Sequence, residues 1–564
     1  MAVGNGADAT DGSIAGSGAG AIPPSDMRLV VAASAAGTAF EWYDFFVFVP
    51  LASIIAKNFA GGLSEAGGYV FALGSFAAGF AFRPLGALIF GRVGDRKGRK
   101  GAFLVTVSLM GAATFAIGLL PTYAQAGVIA PVIFIGLRLL QGIALGGEYG
   151  GAAIYVAEHA PAHRRGFFTS WIQTSAAIGL CTALLVTLVT RSSLGETAFA
   201  VWGWRIPFLG SAGLLAISIW IRLKLSESPA FKRMEAAGGG SKAPFKEAFG
   251  EWANLKKVLI ALFAMMIAQG AVWYCAFFYA QTFIERVVKV APSTVNLIMI
   301  AVVVVSAPLY ILFGWLSDRV GRKLVMTTGV VFATVLLFPG FHMIVGAANP
   351  ALDRAQRTAP VVLSADPATC SLQFDLVGKA KTLSACDIAK SALASAGASY
   401  HTVKAPPGAA TTLKVGGGEQ PIADARTLAP AQAAQVRTGA VARIGSALRA
   451  AGYPAVADPG QVNALGVFLV LVLFTIGATA LYGPMAAALV ELFPTRIRYT
   501  ALSLPYHIGT GWVGGFLPAT AYAMVVASGD IYFGLWYPVI GGAISVIASV
   551  LFWRDARGRD LDAI

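Results

Sequence analysis

Glu41, Asp44, Arg83, Arg138 and Glu148 all lie inside long apolar stretches of the chain. A charge at the centre of a bilayer costs roughly 2.5–3.5 kcal/mol on insertion scales, so each of them asks for a reason. Glu41 and Asp44 are three residues apart and share one face of a helix. A buried acid can take up a proton while desolvation favours its neutral form and release it when a cation comes near. Asp44 is the first candidate for that work and Arg138 the natural cation, with Glu41 and Glu148 as candidates for proton relay or substrate contact. The competing reading for Asp44 and Arg138 is a permanent buried ion pair that never titrates. For Glu148 it is a hydrogen-bonded structural acid. Arg83 precedes Pro84, whose ring frees a backbone carbonyl; Arg83 either caps its own kinked helix or grips a substrate carboxylate through its planar fork.

Charges nearly vanish from the apolar stretches of the second half, so ligand contacts there fall to amides and aromatics. Gln141 beside Arg138, and Gln269, Trp273, Tyr274, Tyr482 and Tyr506, are the candidate substrate contacts; Gln281, His507 and Trp512 are further polar groups in the same stretches. Each also fits ordinary packing or an interfacial anchor. Catalysis has no footing: there is no GxSxG, HExxH, Walker loop or CxxC pair, and no His/Cys spacing suited to a metal. The chain is therefore not expected to be an enzyme, to hold a metal or to need a cofactor beyond a coupling proton.

The elements that carry these residues must be membrane helices. Of the 564 residues, 57% are hydrophobic and only 12% charged, wrong for a soluble protein. Apolar runs near 29–56, 68–90, 102–121, 130–157, 167–190 and 205–223 form one set, and runs near 256–284, 293–316, 324–346, 463–491, 500–527 and 533–553 a second. Each is about the 20 residues a bilayer requires. The net charge of +14 suggests nucleic acid in a soluble protein. Here the basic residues crowd the joints on one side: Arg92, Arg96, Lys97, Arg99 and Lys100; Arg164 and Arg165; Arg222–Lys257; Arg319, Arg322 and Lys323; Arg496 and Arg498; Arg554, Arg557 and Arg559. The opposite joints hold Lys57, Arg191, Arg286 and Lys289. The positive-inside rule then puts the basic side and both termini in the cytoplasm of a bacterial-type inner membrane. Residues 1–27 read as a disordered tail without a signal peptide.

Two motifs repeat. GRVGDRKGRK at 91–100 matches GWLSDRVGRK at 314–323 as GxxxDRxGRK, and Glu158, Pro161 and Arg165 match Glu491, Pro494 and Arg498 as ExxPxxxR. Asp95 and Asp318 are 223 positions apart, whereas Glu158 and Glu491 are 333 apart, so the second half carries 110 extra residues. They fall at 347–461, a polar insertion expected to face the periplasm. Cys370 and Cys386 lie in it, in an oxidising compartment, and a disulfide between them is expected. The remaining divisions are six-helix halves at 28–224 and at 256–346 with 462–554, a cytoplasmic linker at 225–255 and a tail at 555–564.

The repeated joints resemble the signature loops of the major facilitator superfamily. GTAFEWYDFFVF (37–48), FRPLGALIFGRVGDRKGRK (82–100), RLLQGIALGGEYGG (138–151), GWRIPF (203–208), SESPAF (226–231) and YGPMAAALVELFPTRIRYT (482–500) narrow the resemblance to its metabolite:H+ symporters. That resemblance implies twelve helices in two halves that rock about a central site. It implies gating roles for Gly91, Asp95, Arg96, Arg99, Glu158, Arg165, Gly314, Asp318, Arg319, Arg322, Glu491 and Arg498. In these joints Arg96, Arg99, Arg319 and Arg322 are expected to pair with Glu158 and Glu491; plain topology-setting charge is the alternative. The resemblance also supplies the pairing of Arg138 with Asp44. The GPxxGG pattern of drug exporters is absent from 170–184, which favours uptake. The expected function is proton-coupled uptake of a small organic acid or zwitterion by a monomer whose partners are substrate, protons and lipid, without nucleic acid. The rivals are a proton-independent facilitator or osmolyte carrier and a membrane sensor whose insertion binds a ligand.

Overall fold

A computed structural model describes residues 24–60, 75, 77–224, 227–370, 383–559 and 561. The expected N-terminal tail lies almost wholly outside them. Among the described residues ten helices are long and apolar enough to cross a membrane. The helices that position the site are α1 (Pro24–Phe46), α2 (Ala52–Phe59), α3 (Arg83–Lys97), α4 (Arg99–Leu119), α5 (Ile129–His159), α6 (Arg165–Ala198) and α7 (Arg205–Leu223) in the first half. The second half holds α8 (Trp252–Arg286), α9 (Pro292–Val320) and α10 (Arg322–Ala348), and after the insertion α13 (Ala464–Val490), α14 (Arg498–Ser528) and α15 (Phe533–Phe552).

The run read at 29–56 as one helix is broken. The chain leaves α-helical geometry after Phe46, passes through a tight turn at Val49–Leu51 around Pro50, and resumes as α2. Proline has no N–H to donate and its ring collides with the preceding turn. The stretch at 68–90 falls partly outside the described residues; within it 77–81 are helical, the chain turns at Phe82, and α3 starts at Arg83 with Pro84 in its first turn, where a missing N–H costs nothing. α6 runs past its expected end to Ala198, kinking at Gly195, whose φ of 76° suits glycine.

Glycines set how closely the helices pack. A Cβ on Gly142 or Gly146 in α5 would collide with the carbonyls of Gly79 and Arg83, so backbone rests on backbone along α3 and α5. The glycines of the repeated loops serve contacts between halves. Gly91 leaves room for the Thr500 backbone of α14, and Gly314 for Ser170 of α6, where an added Cβ would sit 2.5 Å from the serine Cβ. α3 against α14 and α6 against α9 are thus the two seams between halves.

The insertion is folded. β1 (Val361–Ala365) pairs in parallel with β2 (Tyr400–Lys404) through the crossover helix α11 (Ala385–Ser395), and the hairpin of β3 (Thr412–Val415) and β4 (Gly418–Pro421) extends the sheet in the order β2-β1-β3-β4. α12 (Pro430–Ala450) packs on α11. Cys370 and Cys386 form the disulfide, with Cα atoms 5.3 Å apart. The unit docks on the ends of second-half helices: the Tyr400 N–H donates to the Gly529 carbonyl (2.7 Å), the Ala457 N–H to that of Lys289 (2.9 Å) and the Asn349 side chain to that of Val288 (2.9 Å).

Candidate functional site

At the end of the bundle that carries both GxxxDRxGRK loops, the halves are locked by contacts that repeat with two-fold logic. Arg498, the first residue of α14, donates to Glu158 near the end of α5 (2.6 Å), and Arg99 lies 3.8 Å from the same carboxylate. Arg165, the first residue of α6, donates to Glu491 (2.9 Å), which also pairs with Arg322 (3.2 Å). Asp95 accepts from the backbone N–H groups of Tyr499 (3.1 Å) and Thr500 (2.8 Å), and Asp318 from those of Gly166 (2.9 Å) and Phe167 (2.7 Å). Each aspartate therefore caps the first turn of a helix in the opposite half, where unpaired N–H groups and the positive end of the dipole meet. The ExxPxxxR motif does not close on itself: its Glu and Arg pair across the seam with those of the other copy.

Arg96 and Arg319 do not join this set. Both are exposed, and Arg319 lies over the Trp315 ring at 3.9 Å. One residue on from Asp95 a helix has turned about 100°, whereas Arg99 and Arg322, four residues past the aspartates, return to the same face. The C-terminal segment closes over the lock. The carbonyl of Arg559 accepts from Arg165 (3.3 Å), and that of Leu561 from Arg498 (3.4 Å) and Thr495 (3.2 Å).

Beside the α3–α14 seam lies a cavity lined by Thr38, Trp42, Arg83, Leu145, Glu148, Tyr149, Tyr506 and His507, with room for about one water molecule. Both halves contribute to it. Tyr149 of α5 stacks on Tyr506 of α14 with ring centroids 3.6 Å apart, and the Tyr506 and Tyr482 hydroxyls share a hydrogen bond of 2.6 Å. Gln173 fixes Tyr149 from behind (2.7 Å). The Arg83 guanidinium packs over Phe80 (4.1 Å) and Phe45 (4.7 Å), near Tyr274. Its Nε and Nη2 atoms have no hydrogen-bond partner, and it makes no ion pair among the described residues. Glu148 faces the same cavity without an ion pair among them.

The other sequence candidates stand around this centre. Gln141 accepts from Arg138 (2.7 Å) and donates to Thr114 (2.8 Å). Trp273 donates to Tyr310 (2.7 Å) and packs at a tilt against the Tyr482 ring. Gln269 is buried in α8. Trp512 donates to the Ala81 carbonyl across the seam (3.2 Å), whereas Gln281 bonds Glu285 and Asn296 away from the cavity.

The acids of α1 are arranged differently from expectation. Asp44 is buried but not within 4.0 Å ion-pairing distance of Arg138, whose Nη1 serves Gln141 and whose guanidinium lies over Phe48 at 4.5 Å. Glu41 pairs instead with Arg222, in the last turn of α7. Sequence reasoning missed Arg222 because a basic residue at a helix end already has a topological explanation. It also passed over Thr38, Trp42 and Tyr149, although two of these adjoin the acids it singled out.

The sugar (and other) transporter family profile matches residues 29–238 and 231–359. The proline/betaine transporter of Salmonella typhimurium is 33% identical over 333 residues, 57% of this chain and 66% of that protein, so the chain spans slightly under two thirds of its length. The shikimate transporter of Escherichia coli is 34% identical over 326 residues, 57% of this chain and 74% of that one. Among solved structures, the major facilitator superfamily proton:xylose symporter XylE bound to 6-bromo-6-deoxy-D-glucose superposes with a TM-score of 0.63 over 95% of this chain and 98% of that one; at 16% identity the likeness concerns the fold. The chain belongs to the sugar (and other) transporter family of the major facilitator superfamily, whose matched relatives are multi-pass membrane transporters and not enzymes.

Proposed function

We propose that the chain is a secondary active symporter that carries a small carboxylated metabolite, an organic acid or a zwitterion, into the cytoplasm together with a proton. The observation that carries this reading is Arg83. Its guanidinium is buried in the central cavity between the halves, ringed by aromatic groups and without an ion-pair partner among the described residues. A buried cation left in that condition is costly. A substrate carboxylate supplies the missing anion through two parallel hydrogen bonds. Glu148 on the same wall offers the complementary charge to a substrate that also carries a cation.

The rest of the cycle follows from the two seams. Twelve helices in two halves rock about the cavity, which is collapsed in this state and must widen to admit a solute. The locked end is the cytoplasmic one by its basic loops, and the insertion faces the periplasm. Asp44, buried on α1 and lacking an ion pair among the described residues, carries the proton; its coupling to Arg138 is not through direct contact in this state. Protein reconstituted in vesicles and given an inward proton gradient should accumulate labelled proline, glycine betaine or shikimate. Asp44→Asn should lose accumulation while still exchanging preloaded solute. Uptake that ignores collapse of the gradient would sink the symport reading and leave a facilitator.

A further inference from the structure

α1 carries a second ionic site, away from the substrate cavity. Glu41 is 2% exposed and Arg222 1% exposed, and each is the only ion-pair partner of the other among the described residues. The seat for the guanidinium is built. It lies over the Phe103 ring at 3.7 Å, and a Cβ on Gly37, one turn before Glu41, would stand 2.8 Å from its Nη2. Only a residue without a side chain at 37 leaves that space.

A cavity reaches the pair from the locked end. Arg99, Lys100, Phe103, Gly151, Tyr155 and Arg222 enclose room for about one water molecule, and Lys100 ties this region to the end of α7 by donating to the Leu223 carbonyl (3.0 Å). On the other side Thr38, one turn before Glu41, and Trp42, beside it, line the central cavity. Asp44 follows Glu41 by one turn. Glu41 thus stands on α1 between the substrate cavity and a small space bordered by Arg222 and the gate residue Arg99.

We propose that Glu41 is the group from which the coupling proton leaves toward the cytoplasm, with Arg222 as its positioning residue; this rests on the symport reading above. A proton received from Asp44 converts the Glu41 carboxylate to the acid and releases Arg222, which keeps its own proton throughout. When water in the gate cavity accepts the proton, the carboxylate reforms and recaptures the guanidinium. The charged and titratable groups that face the pair are Asp44 on its own helix, Arg99 and Lys100 from α4, Tyr155 from α5 and Tyr499 from α14. None of those from other helices is a carboxylate, so among the described residues the guanidinium has no alternative anion beside it.

The test separates this role from simple structural pairing. Glu41→Gln or Arg222→Met alone strands a buried charge and can fail to fold. The double variant Glu41→Gln/Arg222→Met strands none. In vesicles the double variant should exchange labelled proline across the membrane as the parent does but lose accumulation driven by a pH gradient. In difference infrared spectra of the reconstituted full chain, taken with no solute present, a carboxylic-acid carbonyl band that follows bulk pH should be lost. A double variant that accumulates proline like the parent, or keeps the same carbonyl band, overturns the proposal. The infrared arm reports on Glu41 even if the parent moves no proline, so a failure of the symport reading is told apart from a failure here.

Discussion

Replacing Glu491 by Gln tests the lock between the halves most directly. The carboxylate is fully buried and serves Arg165 at 2.9 Å from the first half and Arg322 at 3.2 Å from its own. Without it, two guanidinium groups stay buried facing each other's charge. Removing one partner of a buried ion pair costs about 3–5 kcal/mol, and that cost falls only on the locked state, because opening exposes both arginines to water. At about 1.4 kcal/mol per tenfold, the locked-to-open ratio should fall by at least ~100-fold. The assay is pulsed electron resonance between spin labels at Arg96→Cys and Arg319→Cys, which are exposed on opposite halves, in a chain with Cys181 and Cys275 replaced. The distance distribution of Glu491→Gln should shift to longer values. The two-fold logic adds a sharper demand: Glu158→Gln must produce a shift of similar size, since Arg498 and Arg99 stand to it as Arg165 and Arg322 stand to Glu491. Unmoved distributions in both, or a large effect in one alone, would refute the reasoning.

Arg83→Lys should weaken solute binding by at least ~10-fold, because a point charge cannot reproduce the bidentate fork, while leaving the melting temperature of the empty protein close to the parent's; calorimetric titration of purified protein checks it. Gly146→Ala should abolish membrane-inserted, folded protein, as the added methyl meets only backbone, that of Arg83, Gly86 and Ala87, and fluorescence-detected size exclusion reads that out. Reducing the Cys370–Cys386 bridge, which closes a loop of 16 positions, should destabilise the insertion by about 3 kcal/mol. Limited proteolysis of reduced and oxidised protein should then show earlier cleavage within 350–461 and unchanged bundle fragments. Ending the chain at Phe552 removes the carbonyls that Arg165 and Arg498 reach at Arg559 and Leu561, and should open the lock by a smaller factor than Glu491→Gln in the same resonance assay.

How much of this could be read from the sequence depended on whether the governing interaction was local. The repeated GxxxDRxGRK and ExxPxxxR motifs disclosed the charged contact between the halves because each residue type is costly at a buried helix end. They could not disclose that Glu158 answers Arg498 and Glu491 answers Arg165, since the choice between pairing within a motif and across the seam is made by helix packing. The length of the insertion followed from the offset between repeats, yet its sheet did not, because four strands of four or five residues leave too short an alternation to read. The cost of intramembrane charge pointed to Glu41, Asp44, Arg83, Arg138 and Glu148, which the structure buries on helices lining or flanking one cavity.

The partners of those charges were illegible for a physical reason that bears on mechanism. A guanidinium reaches about a helix turn beyond its own backbone, so Arg222 meets Glu41 from a helix end that sequence alone assigns to the lipid headgroups. Arg138, on the helix expected to neutralise Asp44, spends its Nη1 on Gln141 in the same helix instead. The halves are therefore symmetric where they lock and asymmetric where charge is stored: Glu158 and Glu491 mirror each other, whereas the Glu41–Arg222 pair and the cavity-facing Arg83 lie in the first half alone. A two-fold lock lets both seams open by one rocking motion. In the symport cycle proposed above, an unsymmetrical store of buried charge would let that motion be biased by a proton and a carboxylate, because only one half would change its electrostatic energy on binding them. Moving an acid to the equivalent face of α8 in the second half should thus uncouple the transporter even where the lock is untouched, which reconstituted accumulation assays with exchange as the internal control can decide.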